Sequence, residues 1–337
     1  MRILLDPAPR ARDEIFTAAA LSRLKAGHDV AEWQGEDRTV FYARHLPEAD
    51  VLIGQADMGA DRLAMAPKLR AIFNVETNFY PNVDYEECFR RGIHVLAPAG
   101  VFALPVAEIG LGMALSLARN IHGAHGDFVA GREKWGLEGN TGAELLTGAT
   151  VGFVGFGDLG RALHRVLAGF GPRVQVYDPW LPEGHLRRLG VEPVGLACVV
   201  AENRFVFVVA AITTENAHLI DAAALARMQP GANLILLSRA AVADFAALAE
   251  AAGSGRVRVA SDVWPEEPVA PDDPIRRVPG MLFSAHRAGA LTSALHEIGD
   301  RVLDDVGLIA KGLPPVACRR AERETVARMR SKPVERT

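Results

Sequence analysis

A glycine-rich segment near the middle of the chain has the spacing of a phosphate-binding turn. Gly155, Gly157 and Gly160 follow the apolar stretch Thr150–Val154 and open a helical pattern, Leu159–Phe170. Such glycines let bare backbone approach a pyrophosphate closely, and the helix N-terminus adds N–H groups and partial positive charge. We therefore expect a dinucleotide to bind here, with its pyrophosphate surrounded by Gly155, Phe156, Gly157, Asp158, Leu159 and Gly160.

A second apolar stretch ends in Tyr177-Asp178, about 20 residues further on, at the distance typical of a ribose-binding acid. A carboxylate at Asp178 can accept both ribose hydroxyls and repels a 2′-phosphate, which favours NAD over NADP. The alternative is a structural strand–turn–helix with an exposed aspartate. Asp158 adds an unhelpful negative charge to the turn, and we interpret it as a helix cap.

Three polar segments follow apolar stretches further downstream. Arg239 lies in Leu236–Asp244, Glu267 in Ser261–Pro268 and His286 in Phe283–Gly289. Each has an ordinary explanation on its own: a surface arginine, a loop acid, or a histidine satisfied within the fold. Because all three segments follow the dinucleotide-binding turn in the sequence, we treat these residues as candidate catalytic residues.

The elements that would position these residues alternate regularly along the chain. Short apolar runs and longer amphipathic stretches predict parallel sheets with crossover helices. Before the glycine turn the expected strands are Arg2–Leu5, Val51–Gly54, Ala71–Asn74 and Ile93–Leu96, and the expected helices are Asp13–Lys25 and Leu104–Asn120. From the turn onward the expected strands are Thr150–Val154, Arg173–Tyr177, Phe205–Val209, Asn233–Leu237, Arg258–Ser261 and Met281–Phe283, followed by a helix over about Leu291–Lys311. Six strands suffice for a complete dinucleotide-binding sheet.

Composition excludes several other classes of protein. The chain has 337 residues, 49% hydrophobic and 23% charged, with a net charge of −4, so it can form two globular domains and offers nothing to attract nucleic acid or an anionic membrane. Pro105 and Glu108 break the longest apolar stretch, so we expect no membrane span. Three scattered cysteines indicate a reducing cytoplasm, and His122 and His125 lack a third ligand, so we expect no metal.

Taken together, these segments resemble the D-isomer-specific 2-hydroxyacid dehydrogenase family. The resemblance covers nearly the whole chain, including Asn82-Val83-Asp84, Gly92-Ile93-His94-Val95, Val106-Ala107-Glu108, Trp135, Glu144-Leu145 and the late segment ending at Gly289. It implies an α/β fold of two doubly wound parallel-sheet domains, with an NAD-binding Rossmann domain (119–296) inserted into a flavodoxin-like catalytic domain (1–118 plus 297–337). It also implies a homodimer and an active site in the cleft between the domains.

The resemblance assigns roles to the polar segments. It makes Arg239 the group that holds the substrate, His286 the general acid/base and Glu267 its partner, and it makes Asp262 the group that orients the nicotinamide carboxamide. Further cofactor contacts are implied at Ala211, Ser238, Arg239, Asp262 and His286. These residue types suit reduction of a 2-oxo acid, because histidine titrates near neutrality and arginine holds a carboxylate with two parallel hydrogen bonds.

Several positions depart from the family pattern. Ala240 and Ala285 replace the usual glycine and proline beside Arg239 and His286, and Arg287 stands where an aliphatic residue is common. The family's Gly-x-Gly turn, whose amides bind the substrate carboxylate, corresponds to Thr77, Asn78 and Phe79, which we expect to bind substrate in a bent or narrower loop.

Glu76 precedes that loop and would place a negative charge near an anionic substrate. We expect it to pair with Arg287, to meet a donor or cation on the substrate, or to point into solvent.

Two other functions stay open. One is an NAD-sensing binding protein of the corepressor type. The other is a related dehydrogenase with a non-carboxylate substrate.

Overall fold

We determined the fold from a computed structural model, which describes residues 1–329. The strands are β1 (Arg2–Asp6), β2 (Asp29–Glu32), β3 (Val51–Gly54), β4 (Ala71–Phe73), β5 (His94–Ala97), β6 (Thr150–Val154), β7 (Arg173–Tyr177), β8 (Glu192–Pro193), β9 (Phe205–Val208), β10 (Ala232–Leu236), β11 (Val257–Ser261), β12 (Met281–Phe283) and β13 (Arg319–Arg320). The helices are α1 (Arg12–Ile15), α2 (Ala18–Gly27), α3 (Arg38–His45), α4 (Ala60–Ala64), α5 (Tyr85–Arg91), α6 (Ala103–Arg119), α7 (Ile121–Val129), α8 (Asp158–Leu167), α9 (Glu183–Arg188), α10 (Leu196–Glu202), α11 (Ala222–Arg227), α12 (Phe245–Gly253), α13 (Thr292–Ala310) and α14 (Arg323–Val326).

The chain divides into two compact units. The first comprises Met1–Val101 and the described part of the chain from Leu291 onward, and the second comprises Phe102–Ala290. The first unit has the strand order β2-β1-β3-β4-β5, all parallel, with β13 added antiparallel at the β5 edge. This is the order of flavodoxin-like sheets.

The second unit is built on a seven-stranded parallel sheet in the order β12-β11-β10-β9-β6-β7-β8. Every residue of β9 and β10 is buried, because helices cover both faces of a parallel sheet and its strands become continuous apolar runs. Strand order reverses between β6 and β9, and ligands bind beyond the carboxyl ends of the strands at such a point. The expectation of two doubly wound parallel-sheet units is confirmed.

The unit boundary differs from the expected one. We expected residues up to 118 to belong to the outer domain, yet α6 lies within the second unit. The physical reason is its packing, since Gly110 on α6 faces the side chains of Leu237 and Leu163 so closely that an added Cβ would lie 2.6 Å from the first. The first unit also resumes at Leu291, before α13, rather than at 297.

A few elements differ from the sequence predictions. The predicted helix over Asp13–Lys25 is interrupted after Ile15, and α2 starts anew behind Thr17, whose side chain accepts a hydrogen bond from the amide of Ala20. The short strands β2, β8 and β13 and the helix α7 were not among the predicted elements.

Glu76, just after β4, is held inside the first unit. Its side chain is 2% exposed, and Nε of Arg10 donates to its Oε1 at 2.6 Å. A second, longer contact of 3.4 Å joins Nη2 of Arg10 to Oε2. Pairing with Arg287 and pointing into solvent, two of the arrangements we considered, are both wrong, because the observed partner is Arg10 and the carboxylate is buried.

Replacing Glu76 by alanine should therefore destabilise the protein. Removing one partner of a buried ion pair leaves the other charge uncompensated, so we expect Glu76→Ala to lower the free energy of unfolding by roughly 2–4 kcal/mol. Urea unfolding followed by circular dichroism measures this. Glu87→Ala is the matched control, since Glu87 pairs with an exposed arginine, Arg90, and should cost little. Equal losses in the two variants would contradict a structural role for Glu76.

Candidate active site

The turn between β6 and α8 requires its glycines. Gly155 has φ +90°, and a Cβ there would lie 2.6 Å from Cα of Ala210. A Cβ on Gly160 would lie 2.9 Å from the carbonyl oxygen of Gly155, so this glycine lets α8 pack closely on the turn. Gly157 faces open space, with nothing within 4 Å of the position of a Cβ. The turn thus leaves its backbone accessible at the N-terminus of a helix, as a pyrophosphate requires.

Asp178 closes the turn from the end of β7. Its Oδ2 accepts a hydrogen bond from the amide of Phe156 at 2.8 Å, and its Oδ1 accepts one from the amide of Trp180 at 2.9 Å. An ionised carboxylate offers about four acceptor positions, so lone pairs remain for the hydroxyls of a ribose. The structure places Asp178 beside the glycine turn, as the sequence predicted.

Asp158 does not cap the helix as we interpreted it. The N-cap is Gly157, which makes no side-chain cap, and Asp158 is the first residue of α8. Its Oδ1 accepts a hydrogen bond from Nη2 of Arg161 at 2.6 Å. Arg161 thereby offsets the negative charge in the turn. Sequence reasoning missed this arginine, although its spacing of three residues from Asp158 on a helix was a usable signal.

Two further predicted cofactor contacts lie beyond the ends of β9 and β10. Ser238 is 5% exposed, and its buried hydroxyl has no hydrogen-bond partner within residues 1–329. A buried hydroxyl without a partner is costly, which fits a group that a ligand completes. Ala211 is exposed, and its carbonyl accepts a hydrogen bond from Nδ2 of Asn216. The glycine turn, Asp178 and Ser238 together fit a dinucleotide.

Arg239 follows Ser238 at the same edge of the sheet. It is half-buried and extended, and its Nη1 donates to the carbonyl oxygen of Ser238 at 2.8 Å. In the described part of the chain no other hydrogen bond is made by its guanidinium. The remaining N–H groups are available for a planar anion such as a carboxylate.

His286 and Glu267 are in direct contact. Nδ1 of His286 lies 2.6 Å from Oε2 of Glu267, and the two side chains are 36% and 35% exposed. The other oxygen of Glu267, Oε1, accepts a hydrogen bond from the amide of Trp264, which fixes the carboxylate. Among residues 1–329 nothing hydrogen-bonds to Nε2 of His286, so that nitrogen can exchange a proton with a ligand. This is the arrangement of a general acid/base with an orienting partner.

The loop that carries His286 is held by Asp262. This carboxylate is 1% exposed and accepts three hydrogen bonds, from Oγ of Ser284 at 2.5 Å and from the amides of Arg287 at 3.1 Å and Ala288 at 3.0 Å. The backbone carbonyl of Asp262 accepts a fourth bond from the amide of His286 at 2.7 Å. Asp262 thus supports the loop, a role that sequence reasoning missed when it assigned this residue to the nicotinamide.

The loop predicted to bind substrate belongs to the first unit. Thr77 has φ +66°, so it adopts the left-handed conformation that a glycine would, although the residue is β-branched. Its amide donates to the carbonyl of Asn74, and the amide of Phe79 donates to Oδ1 of Asn78. Phe79 is 4% exposed and contacts the ring of Tyr85 edge-on. Its ring therefore fills the core and does not narrow the loop.

Two absences among residues 1–329 bear on other functions. Within residues 1–329 there is no group of three or more His, Cys, Asp or Glu side chains placed to hold a metal ion. Over the same residues no helix is both long and apolar enough to cross a lipid bilayer.

Comparisons with known proteins identify the family of the chain. The profile of the D-isomer specific 2-hydroxyacid dehydrogenase family, NAD binding domain, matches residues 111–288. A glyoxylate reductase of Korarchaeum cryptofilum is 30% identical over 305 residues, covering 88% of this chain and 91% of the relative. A D-3-phosphoglycerate dehydrogenase of Mycobacterium leprae is 32% identical over 82% of this chain, which spans only 52% of that protein's length.

A solved structure extends the likeness over almost the whole chain. The crystal structure of a phosphoglycerate oxidoreductase from Rhizobium etli has a TM-score of 0.88 and 49% identity, covering 96% of this chain and 98% of that one. The second unit is therefore an NAD-binding domain with a Rossmann sheet. The chain belongs to the D-isomer-specific 2-hydroxyacid dehydrogenase family.

Proposed function

We propose that this protein is an NAD-dependent D-2-hydroxyacid dehydrogenase that interconverts a 2-oxo acid and the corresponding D-2-hydroxy acid. His286 is the general acid/base, Glu267 is its partner and Arg239 holds the substrate. The observation that supports this best is the 2.6 Å contact between Nδ1 of His286 and Oε2 of Glu267, which leaves Nε2 of His286 open.

The reaction assigns separate roles to the cofactor and to each of the three residues. NAD(H), when bound, supplies or accepts the hydride. In reduction, Nε2 of His286 donates a proton to the oxygen of the 2-oxo group, and in oxidation it takes that proton back. Glu267 stabilises the protonated imidazole and keeps Nδ1 engaged as a donor. Arg239 holds the carboxylate with parallel N–H groups, so that the carbon atom to be reduced is fixed in position.

The loop of the first unit bears on the substrate class. Because Arg10 neutralises Glu76, the loop carries no free negative charge that would repel an acid. We propose that the loop of Thr77, Asn78 and Phe79 contacts the substrate. The name of the Rhizobium etli relative, a phosphoglycerate oxidoreductase at 49% identity, makes D-3-phosphoglycerate a substrate to test beside unphosphorylated acids.

We further propose a cytoplasmic homodimer. Free cysteines support a reducing compartment, because Cys88, Cys198 and Cys318 form no disulfide. Exposed apolar side chains in the segment between α6 and β6 of the second unit support association, since apolar surface of this kind is buried in protein interfaces. They are Ile121, Phe128, Val129, Trp135, Leu137 and Leu145.

Activity of the variant His286→Ala tests the function directly. The 2-oxo acids to screen with NADH are glyoxylate, pyruvate, hydroxypyruvate and its 3-phosphate. On the best of them we expect kcat to fall by roughly 10²–10⁴-fold while NADH affinity stays nearly unchanged, because only proton transfer is lost. His125→Ala, which removes an exposed histidine, is the control. NADH binding without turnover of any 2-oxo acid would favour an NAD-sensing protein instead.

The variant Glu267→Gln tests the partnership of Glu267. It keeps the size of the side chain but removes the negative charge that stabilises the imidazolium during proton transfer, so kcat for reduction should fall roughly tenfold or more while NADH affinity stays nearly unchanged. The comparison requires kcat and KM for reduction in both proteins. A kcat equal to that of the wild type would show that Glu267 is not the partner of His286.

Cofactor preference tests Asp178. A carboxylate at the ribose repels a 2′-phosphate, so kcat/KM with NADH should exceed that with NADPH by about tenfold or more. Asp178→Ser should lower the ratio of kcat/KM with NADH to kcat/KM with NADPH. Glu192→Ser, at an exposed acid on β8, should leave this ratio unchanged. Equal or better activity of the wild type with NADPH would refute the assignment.

A further inference from the structure

The first unit contains a pocket of about 490 Å³ that the proposed reaction does not use. It lies where β4 and β5 begin, since Arg70 precedes β4, Gly92 precedes β5 and His94 is the first residue of β5. The C-terminal end of α13 forms another wall, with Ile309 and Gly312. The loop of Thr77 and Phe79 follows β4, so the pocket and that loop lie at opposite edges of the same sheet.

Among residues 1–329, basic side chains and no acid line the pocket. Arg70, Arg91, His94 and Arg320 all face it, and none of the described lining residues is Asp or Glu. The whole chain carries a net charge of −4, so this concentration of positive charge does not follow from composition. A concave site lined by one sign of charge attracts ligands of the opposite sign.

Two of these basic side chains are anchored by hydrogen bonds and two have unused donors. Arg70 donates to the carbonyl of Ile309 at 2.6 Å, and Arg91 donates to the carbonyls of Leu63 and Ala66. These bonds hold both guanidinium groups in place at the pocket. In the described part of the chain, residues 1–329, the side chains of His94 and Arg320 make no hydrogen bond.

Among residues 1–329 no carboxylate forms a salt bridge with His94 or Arg320. Asp305, the acid that influences His94, is fully buried and accepts hydrogen bonds from the amides of Val316, Ala317 and Cys318. Burial, and then the charges of Arg320 and Arg70, lower the pKa of His94 below its ordinary value, and Asp305 opposes them only in part. An anion in the pocket would raise the pKa of His94, because it favours the protonated ring.

We propose that this pocket is a binding site for a small dianion, such as phosphate or a short dicarboxylate. Arg320 and His94 donate hydrogen bonds to it, while Arg70 and Arg91 add positive charge from fixed positions. Guanidinium and imidazolium groups with unused donors are the groups that bind such oxyanions. Such a site would be a second ligand site on the protein, independent of the proposed catalytic residues.

The test uses two neighbouring arginines. Arg319 and Arg320 are adjacent on β13, so their side chains point to opposite faces of the sheet, and only Arg320 lines the pocket. The thermal unfolding midpoint is titrated with inorganic phosphate, and in a separate series with malonate, at ionic strength held constant with sodium chloride. We expect a saturable rise in the wild type. Arg320→Ala should weaken the apparent affinity roughly fivefold or more, and Arg319→Ala should leave it nearly unchanged.

A second measurement reports on the pocket itself. NMR titration of the His94 ring, assigned with His94→Gln, should give a higher midpoint in saturating phosphate than in chloride. The series with the tighter binding identifies the ligand as a phosphate or a dicarboxylate. Equal loss of affinity in the two arginine variants, or a His94 midpoint that neither phosphate nor malonate raises, would overturn the proposal.

Discussion

The arrangement of the candidate active site depends on one buried carboxylate. Asp262 is 1% exposed, and its two oxygens bind the hydroxyl of Ser284 and the amides of Arg287 and Ala288. Buried carboxylates are stable when hydrogen bonds of this kind compensate their lost hydration. These bonds fix the loop on both sides of His286, which itself has φ +48°. Because these bonds fix the loop, the imidazole of His286 is held in contact with the carboxylate of Glu267.

The candidate site residues of the second unit lie at the carboxyl edge of one sheet. The glycine turn follows β6, Asp178 follows β7, Ser238 and Arg239 follow β10, and Asp262 follows β11. Parallel strands place all these residue positions at the same edge, and the reversal of strand order between β6 and β9 opens the crevice there. Distant segments of the sequence therefore converge through topology alone. The first unit uses the opposite, amino edge of its sheet for the cationic pocket around Arg320 and His94.

The sequence predicted those features that depend on local pattern. Continuous apolar runs located β3, β6 and β12 with their bounds, and the glycine spacing located the turn. Short or polar edge strands such as β2 were not predicted, because their sequences show neither a clear periodicity nor a buried apolar run. The burial of Glu76 was not predicted either, since its partner Arg10 lies 66 residues earlier and the two side chains come together only in the folded chain. The support that Asp262 gives to the loop of His286 was not predicted for the same reason, because the three donors to its carboxylate lie more than 20 residues away.

The measurement that tests this account most directly is the tautomer of His286. Nitrogen-15 NMR of protein labelled at histidine distinguishes a proton on Nδ1 from one on Nε2, and His286→Gln assigns the signal. At high pH we expect the wild type to carry its proton on Nδ1, donated to Glu267, with Nε2 unprotonated. Asp262→Ala should release the loop and mix the two tautomers. A wild-type ring with its proton on Nε2, or a tautomer that Asp262→Ala leaves unchanged, would contradict the account.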